Sequence, residues 1–137
     1  MATFNKFDAF VEHLAEKVHN LGSDQLVVAL TNSAPIASNT VLANLTEISY
    51  TNLSSRNITT STSSQTSGTY KLVLTDLVLT ASGEVGPFRY VEIYNDTPTS
   101  PADPLIGWYD YGSSISLAAG ETLTIDFDGT NGLLSIA

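Results

Sequence analysis

The groups that could carry out chemistry are few. The chain has two histidines, His13 and His19, and no cysteine. A serine nucleophile needs a neighbouring base, most often histidine. Here both histidines fall in a stretch that reads as an amphipathic helix. Six residues apart, they should lie on opposite sides of it, and no Gly-x-Ser-x-Gly elbow accompanies them. They read as exposed polar positions. "DFDGTNG" (126–132) has the look of a calcium loop, but an EF-hand needs glycine at its sixth position and glutamate at its twelfth. Counted from Asp126, those positions hold Asn131 and Ala137. Asp126 and Asp128 share one strand face and could share a cation. The simpler reading is an exposed strand end entering a glycine-rich turn. Glu92, Asp96, Asp103 and Asp110 lie near aromatic residues, but nothing in their spacing fixes two carboxylates at the separation glycoside hydrolysis requires. No phosphate loop or dinucleotide fingerprint is present. No catalytic residue, cofactor or metal is assigned, and an enzyme is not expected.

The aromatic residues offer binding rather than bond-breaking. "PLIGWYDYG" (104–112) packs Trp108, Tyr109 and Tyr111 around Asp110. In a strand, Trp108 and Asp110 share one face while Tyr109 and Tyr111 share the other. Rings beside a carboxylate suit a sugar site, with Trp108 and Asp110 as its contacts. Tyrosine and tryptophan also dominate cores and protein interfaces. The expectation is that Trp108 is largely buried and that Tyr109 and Tyr111 sit nearer a surface or interface.

The elements that must position these residues divide at Gly22. Before it, Phe4, Phe7, Val11, Leu14, Val18 and Leu21 recur at spacings of three and four, which predicts one amphipathic helix over residues 1–22. Asn5 with Asp8 is a weak cap signal, and Gly22 is placed as the stop. The helix is expected to lie on a sheet or on another subunit, with the stripe Phe4, Phe7, Val11, Leu14 and Val18 contacting a sister subunit or another protein. Residues 23–137 read as one β-domain of six to eight short strands. "DQLVVALT" (24–31) and "TYKLVLTDLVLTA" (69–81) alternate apolar positions, the latter slipping at Thr75–Asp76 as a bulge or bend would. "PFRYVEIYND" (87–96) carries bulk on both faces, so both are expected to be covered. "SSISL" (113–117), the turn "AAGE" and "TLTIDFD" (122–128) form a hairpin pattern, followed by a short last strand, "LLSIA". Residues 54–69 hold eleven serines and threonines in sixteen positions and read as a polar strand turning at Gly68. The fold class is mainly β, an antiparallel sandwich or barrel with a helical appendage.

Charge narrows the partners. The formal net charge is −9. Residues 90–137 hold seven acids and no base. Such a surface repels nucleic acid and anionic membranes and suits a basic protein or a divalent cation. Residues 1–20 have no continuous apolar core and do not read as a signal peptide. No run approaches the ~18 apolar residues of a membrane span. The absence of cysteine is compatible with folding in a reducing cytosol.

Taken together, "NKFDAFVEHLAEKVHNLGSDQLVVALTN" (5–32), "SSQTSGTYKL" (63–72), "GPFRYVEIYNDT" (86–97) and residues 104–137 resemble small virion structural proteins of tailed bacteriophages, and the resemblance covers most of the chain. It implies a jelly-roll-like β-sandwich with no enzymatic role. The role it points to first is a capsid decoration (cement) protein that binds and stabilises the outer face of the head. Its partners would be the major capsid protein and further copies of itself, with trimers at local three-fold axes. It would be made in the host cytoplasm and end on the capsid surface. The alternatives are a glycan- or receptor-binding module of a tail fibre or spike, and a tail structural protein.

Overall fold

The computed structural model describes residues 2–137. In chain order its elements are β1 (Asn5–Lys6), α1 (Ala9–Ala15), β2 (Leu26–Thr31), β3 (Thr60–Thr66), β4 (Thr69–Leu74), β5 (Leu77–Thr80), β6 (Val85–Asn95), β7 (Leu105–Leu117), β8 (Thr122–Ile125) and β9 (Leu134–Ile136). The protein is mainly β. Every strand pairing is antiparallel, in three sheets ordered β1-β7-β6-β2, β3-β4-β9 and β5-β8.

The alternating apolar residues converge on one main core. Leu26, Val28 and Leu30 of β2, Val91 and Ile93 of β6, and Ile106 and Tyr109 of β7 meet Leu72 and Leu74 of β4, Leu79 of β5 and Ile125 of β8. The opposite face of the four-stranded sheet is covered too, as the bulk on both faces of residues 87–96 predicts. There Val27, Ala29, Tyr94 and Leu105 form a second cluster with Phe7, and Leu42, Leu45 and Trp108 pack against it. The outer edge of β2 is closed by an irregular segment rather than a strand: Leu30 N–H donates to the Tyr50 hydroxyl, and Ile48 and Ile58 N–H donate to the Leu30 and Leu26 carbonyls.

The N-terminal helix is shorter than its apolar stripe predicts. Only Ala9–Ala15 is helical, and Asn5 and Lys6 instead pair with Trp108 and Gly107 of β7. The helix stops at Lys17, not Gly22. Lys17 has φ 67°, its N–H bonds the Leu14 carbonyl, and Val18 N–H reaches back to the His13 carbonyl. This is a Schellman stop with lysine in the left-handed position that glycine usually fills. Phe10 and Leu21 lie in the main core, so this segment is built into the β-body.

The slip at Thr75–Asp76 is a change of sheet. β4 ends at Leu74, β5 begins at Leu77, and Asp76 Oδ1 accepts the Phe127 N–H at 3.0 Å. The polar strand and its turn form as expected: β3 lies at a sheet edge and joins β4 through Ser67 and Gly68, both at positive φ. The 113–128 hairpin does not form. The turn closes, with Glu121 N–H on the Ala118 carbonyl, but β7 stays with β6 while β8 pairs with β5. Turn residues report local geometry, whereas partner choice follows from burial of distant faces.

Candidate functional site

The residues expected to form an interface are scattered by this fold. Phe7 is fully buried, its ring 4.6 Å from that of Trp108, so it cannot meet a partner. Phe4 is half-buried and packs on Tyr109 at 5.3 Å. Val11 is 53 % exposed on α1. Leu14 and Val18 line a surface cleft. The burial expected within residues 104–112 is reversed for Trp108 and Tyr109, the first half-buried and the second only 4 % exposed, while Tyr111 is half-buried and lines a surface hollow. Tyr109 points into the main core, whereas Trp108 is on the face that Phe7 covers only in part. Asp110 is engaged by protein groups. Arg89 donates to both of its oxygens at 2.8 and 3.1 Å and Gly112 N–H to one at 2.7 Å, which together hold its carboxyl below the usual range.

Two of the surface hollows have a largely apolar lining. The larger, about 580 Å³, lies where the chain leaves α1 and meets β3, β4 and β9, with Leu14, Val18, Leu21, Tyr70, Pro98 and Ile136 in its lining. Ile136 is 45 % exposed. The smaller, about 480 Å³, runs between β7 and β8 and is lined by Tyr109, Tyr111, Ile115, Leu123, Thr124 and Asp126, with Ala2 at its margin.

His19 lies beside the larger hollow, and here the expectation from sequence fails. The Lys17 turn folds the chain back on α1, so the rings of His13 and His19 lie 6.0 Å apart instead of on opposite sides of a helix. His19 is 5 % exposed. Asn95 Nδ2 spends one hydrogen on Asp24 Oδ2 at 2.7 Å and the other on His19 Nδ1 at 3.0 Å. Nδ1 therefore accepts, the imidazole is neutral, and its proton sits on Nε2, which is buried without a partner. Burial lowers the His19 pKa to about 4; nearby His13 adds to the effect and Asp24 opposes it.

Glu92 is the second buried titrating group, 0 % exposed in the middle of β6. Burial pushes its carboxyl up to about 7, and a hydrogen bond with Thr31 works in the other direction. The Thr31 hydroxyl lies 2.6 Å from Glu92 Oε1 and 2.9 Å from the Ser33 carbonyl oxygen. The Thr31 hydroxyl donates to Glu92 Oε1, which favours the charged carboxylate and so opposes the effect of burial. With no exposed surface, Glu92 has no route to a substrate.

The acidic loop after β8 satisfies itself. Asp128 Oδ1 accepts the N–H groups of Thr130 and Asn131, and Asp126 Oδ1 accepts that of Asp128. Among the described residues no group of three His, Cys, Asp or Glu is placed to hold a metal. Among the described residues no helix is long and apolar enough to cross a membrane.

Sequence reasoning missed the His13–His19–Asn95–Asp24 cluster, because its members come together only through the Lys17 turn. The burial of Glu92 had a signal, since it alternates with Tyr90 and Tyr94 on one face of β6. Compared with known protein families, curated proteins and solved structures, the chain finds no match.

Proposed function

We propose that the chain is a non-enzymatic structural protein of a tailed-bacteriophage virion, a decoration protein that docks on the outer face of the head. In this reading the antiparallel sheets stack as the layers of a jelly-roll-like sandwich, and copies gather as trimers on the major capsid protein. The observation that carries it is the apolar surface at the larger hollow. Ile136, in its lining, is 45 % exposed on a chain of net charge −9, with Leu14, Val18 and Leu21 lining the same cleft, and Val11 of α1 is 53 % exposed. Exposed aliphatic side chains beside a concave apolar surface fit a docked protein. The resemblance of residues 5–32, 63–72, 86–97 and 104–137 to small virion proteins supplies the identity of the partner.

The test uses particles of the source phage grown with the wild-type gene or with Val11→Ser/Ile136→Ser. Both side chains are exposed, so the double variant keeps its fold, checked by circular dichroism. Imaging and protein quantification of purified particles should find the wild-type chain arrayed over the head and the variant depleted from it. An undiminished array, or a chain confined to the tail, would refute the reading.

A further inference from the structure

The groove between β7 and β8 has a chemistry of its own. Tyr109, Tyr111 and Ile115 come from β7, and Leu123 and Thr124 from β8, so most of its lining is apolar or aromatic. The two strands are not paired with one another. β1 covers the outer side of β7 only at Gly107 and Trp108, and β8 has only β5 beside it. Strand edges left open in this way offer main-chain donors and acceptors to an added extended segment.

One acid lines this apolar floor, and two more lie close enough to act on Tyr109. Asp126 lines the groove, and the carboxylates of Asp126, Asp128 and Asp76 all act on the Tyr109 phenol, which burial has already pushed up. Asp126 acts likewise on Tyr111. Hydrogen bonds from Asn131, then from Thr130, hold the Asp128 carboxyl down, and nearby Lys71 adds to them. Asp76 and Asp126 have no cation within salt-bridge distance among the described residues; the two ion pairs there are Arg56–Glu47 and Arg89–Asp110. An aromatic floor under uncompensated carboxylates complements a cation on a chain with apolar neighbours. It repels phosphate backbones.

We propose that the groove between β7 and β8 docks an extended, arginine- or lysine-bearing segment of a protein partner, its apolar side chains on Tyr111, Ile115 and Leu123 and its cation at Asp126. No residue lines both this groove and the larger hollow, so the inference does not rest on the head-surface reading and the two fail separately.

The probe is a fluorescein-labelled peptide of alternating arginine and valine, titrated with the full chain and followed by anisotropy. A peptide of alternating glutamate and valine is the counterpart. The arginine peptide should bind and the glutamate peptide should not. Asp126→Asn, an exposed substitution that leaves packing intact, should weaken binding about fivefold, and Tyr111→Ala about tenfold. Asp96→Asn removes the same charge from the loop before β7 and should change affinity less than about twofold. Absence of binding overturns the proposal. So do equal losses in Asp126→Asn and Asp96→Asn, which would mean attraction to the net charge rather than to the groove.

Discussion

Replacing Glu92 by glutamine should turn a flat dependence of stability on pH into a rising one, and replacing His19 by glutamine should turn it into a falling one. The fold lowers the His19 pKa from 6.5 to about 4, so the unfolded chain takes up the proton first. Stability is then intact above 6.5 and is lost as pH falls from 6.5 toward 4. The fold raises the Glu92 pKa from 4.5 to about 7, so the native state holds its proton longer. Stability is intact below 4.5 and is lost as pH rises from 4.5 toward 7. Each displacement is worth about 3 kcal/mol at about 1.4 kcal/mol per pH unit. Between 4.5 and 6.5 the two slopes oppose, and their sum stays within a few tenths of a kcal/mol of about 3 kcal/mol. In Glu92→Gln only His19 remains, and stability should gain about 2 kcal/mol from pH 4.5 to 6.5. In His19→Gln only Glu92 remains, and about 2 kcal/mol should be lost over the same window. Glutamine at 92 keeps a side-chain oxygen that can accept the Thr31 hydroxyl. Urea unfolding followed by circular dichroism gives each curve, and subtracting the wild-type curve removes the exposed carboxylates common to all three. Parallel curves in the two variants, or a difference from wild type that does not move with pH, would refute the reasoning.

Two further substitutions test the N-terminal segment. A Cβ at Gly107 would run into the Phe4 ring and the Asn5 carbonyl oxygen, so Gly107→Ala should displace β1 and lower stability by about 1–3 kcal/mol in urea unfolding; an unchanged midpoint would mean that β1 is not held there. Lys17 occupies the left-handed position at φ 67°, so Lys17→Gly should raise stability by about 0.5–1 kcal/mol, less than the strain removed because glycine also loosens the unfolded chain.

What was legible in the sequence was local. The alternation of Leu72 and Leu74, of Leu79, and of Ile125 and Phe127 marks residues that end in the core, and Ser67–Gly68 turns where glycine suggests. The double coverage of β6 could be read from bulk on both of its faces. The failures lie where two local signals compete or where a distant partner decides. The stripe from Phe4 to Leu21 has helical spacing, yet Gly107 leaves a gap on β7 into which β1 fits, and strand pairing takes Asn5 and Lys6. Trp108 and Tyr109 could be put on opposite faces from sequence. Which face was drier depended on Phe7 covering one side incompletely and on the main core enclosing the other. The histidines were misplaced for the same reason: the residue that brings them together, Lys17, is one whose type gives no warning of a left-handed turn.

β6 anchors both halves of the buried electrostatics, and its place in the sheet explains why their cost persists. Glu92 sits on the face toward Ala29 and Trp108, and Asn95, at the end of the same strand, holds His19. A strand paired on both sides cannot turn a side chain to water without breaking ladders to β2 and β7 at once. Local opening is therefore expensive there, and the two displaced pKa values are not relaxed away. The groove between β7 and β8 is in the opposite position. Its walls are strands with an edge to spare, Asp126 already stands in solvent, and a ligand that supplies a third strand breaks no existing pairing. The same sheet thus separates a rigid centre, where charge is suppressed, from an edge where charge remains free to attract a partner.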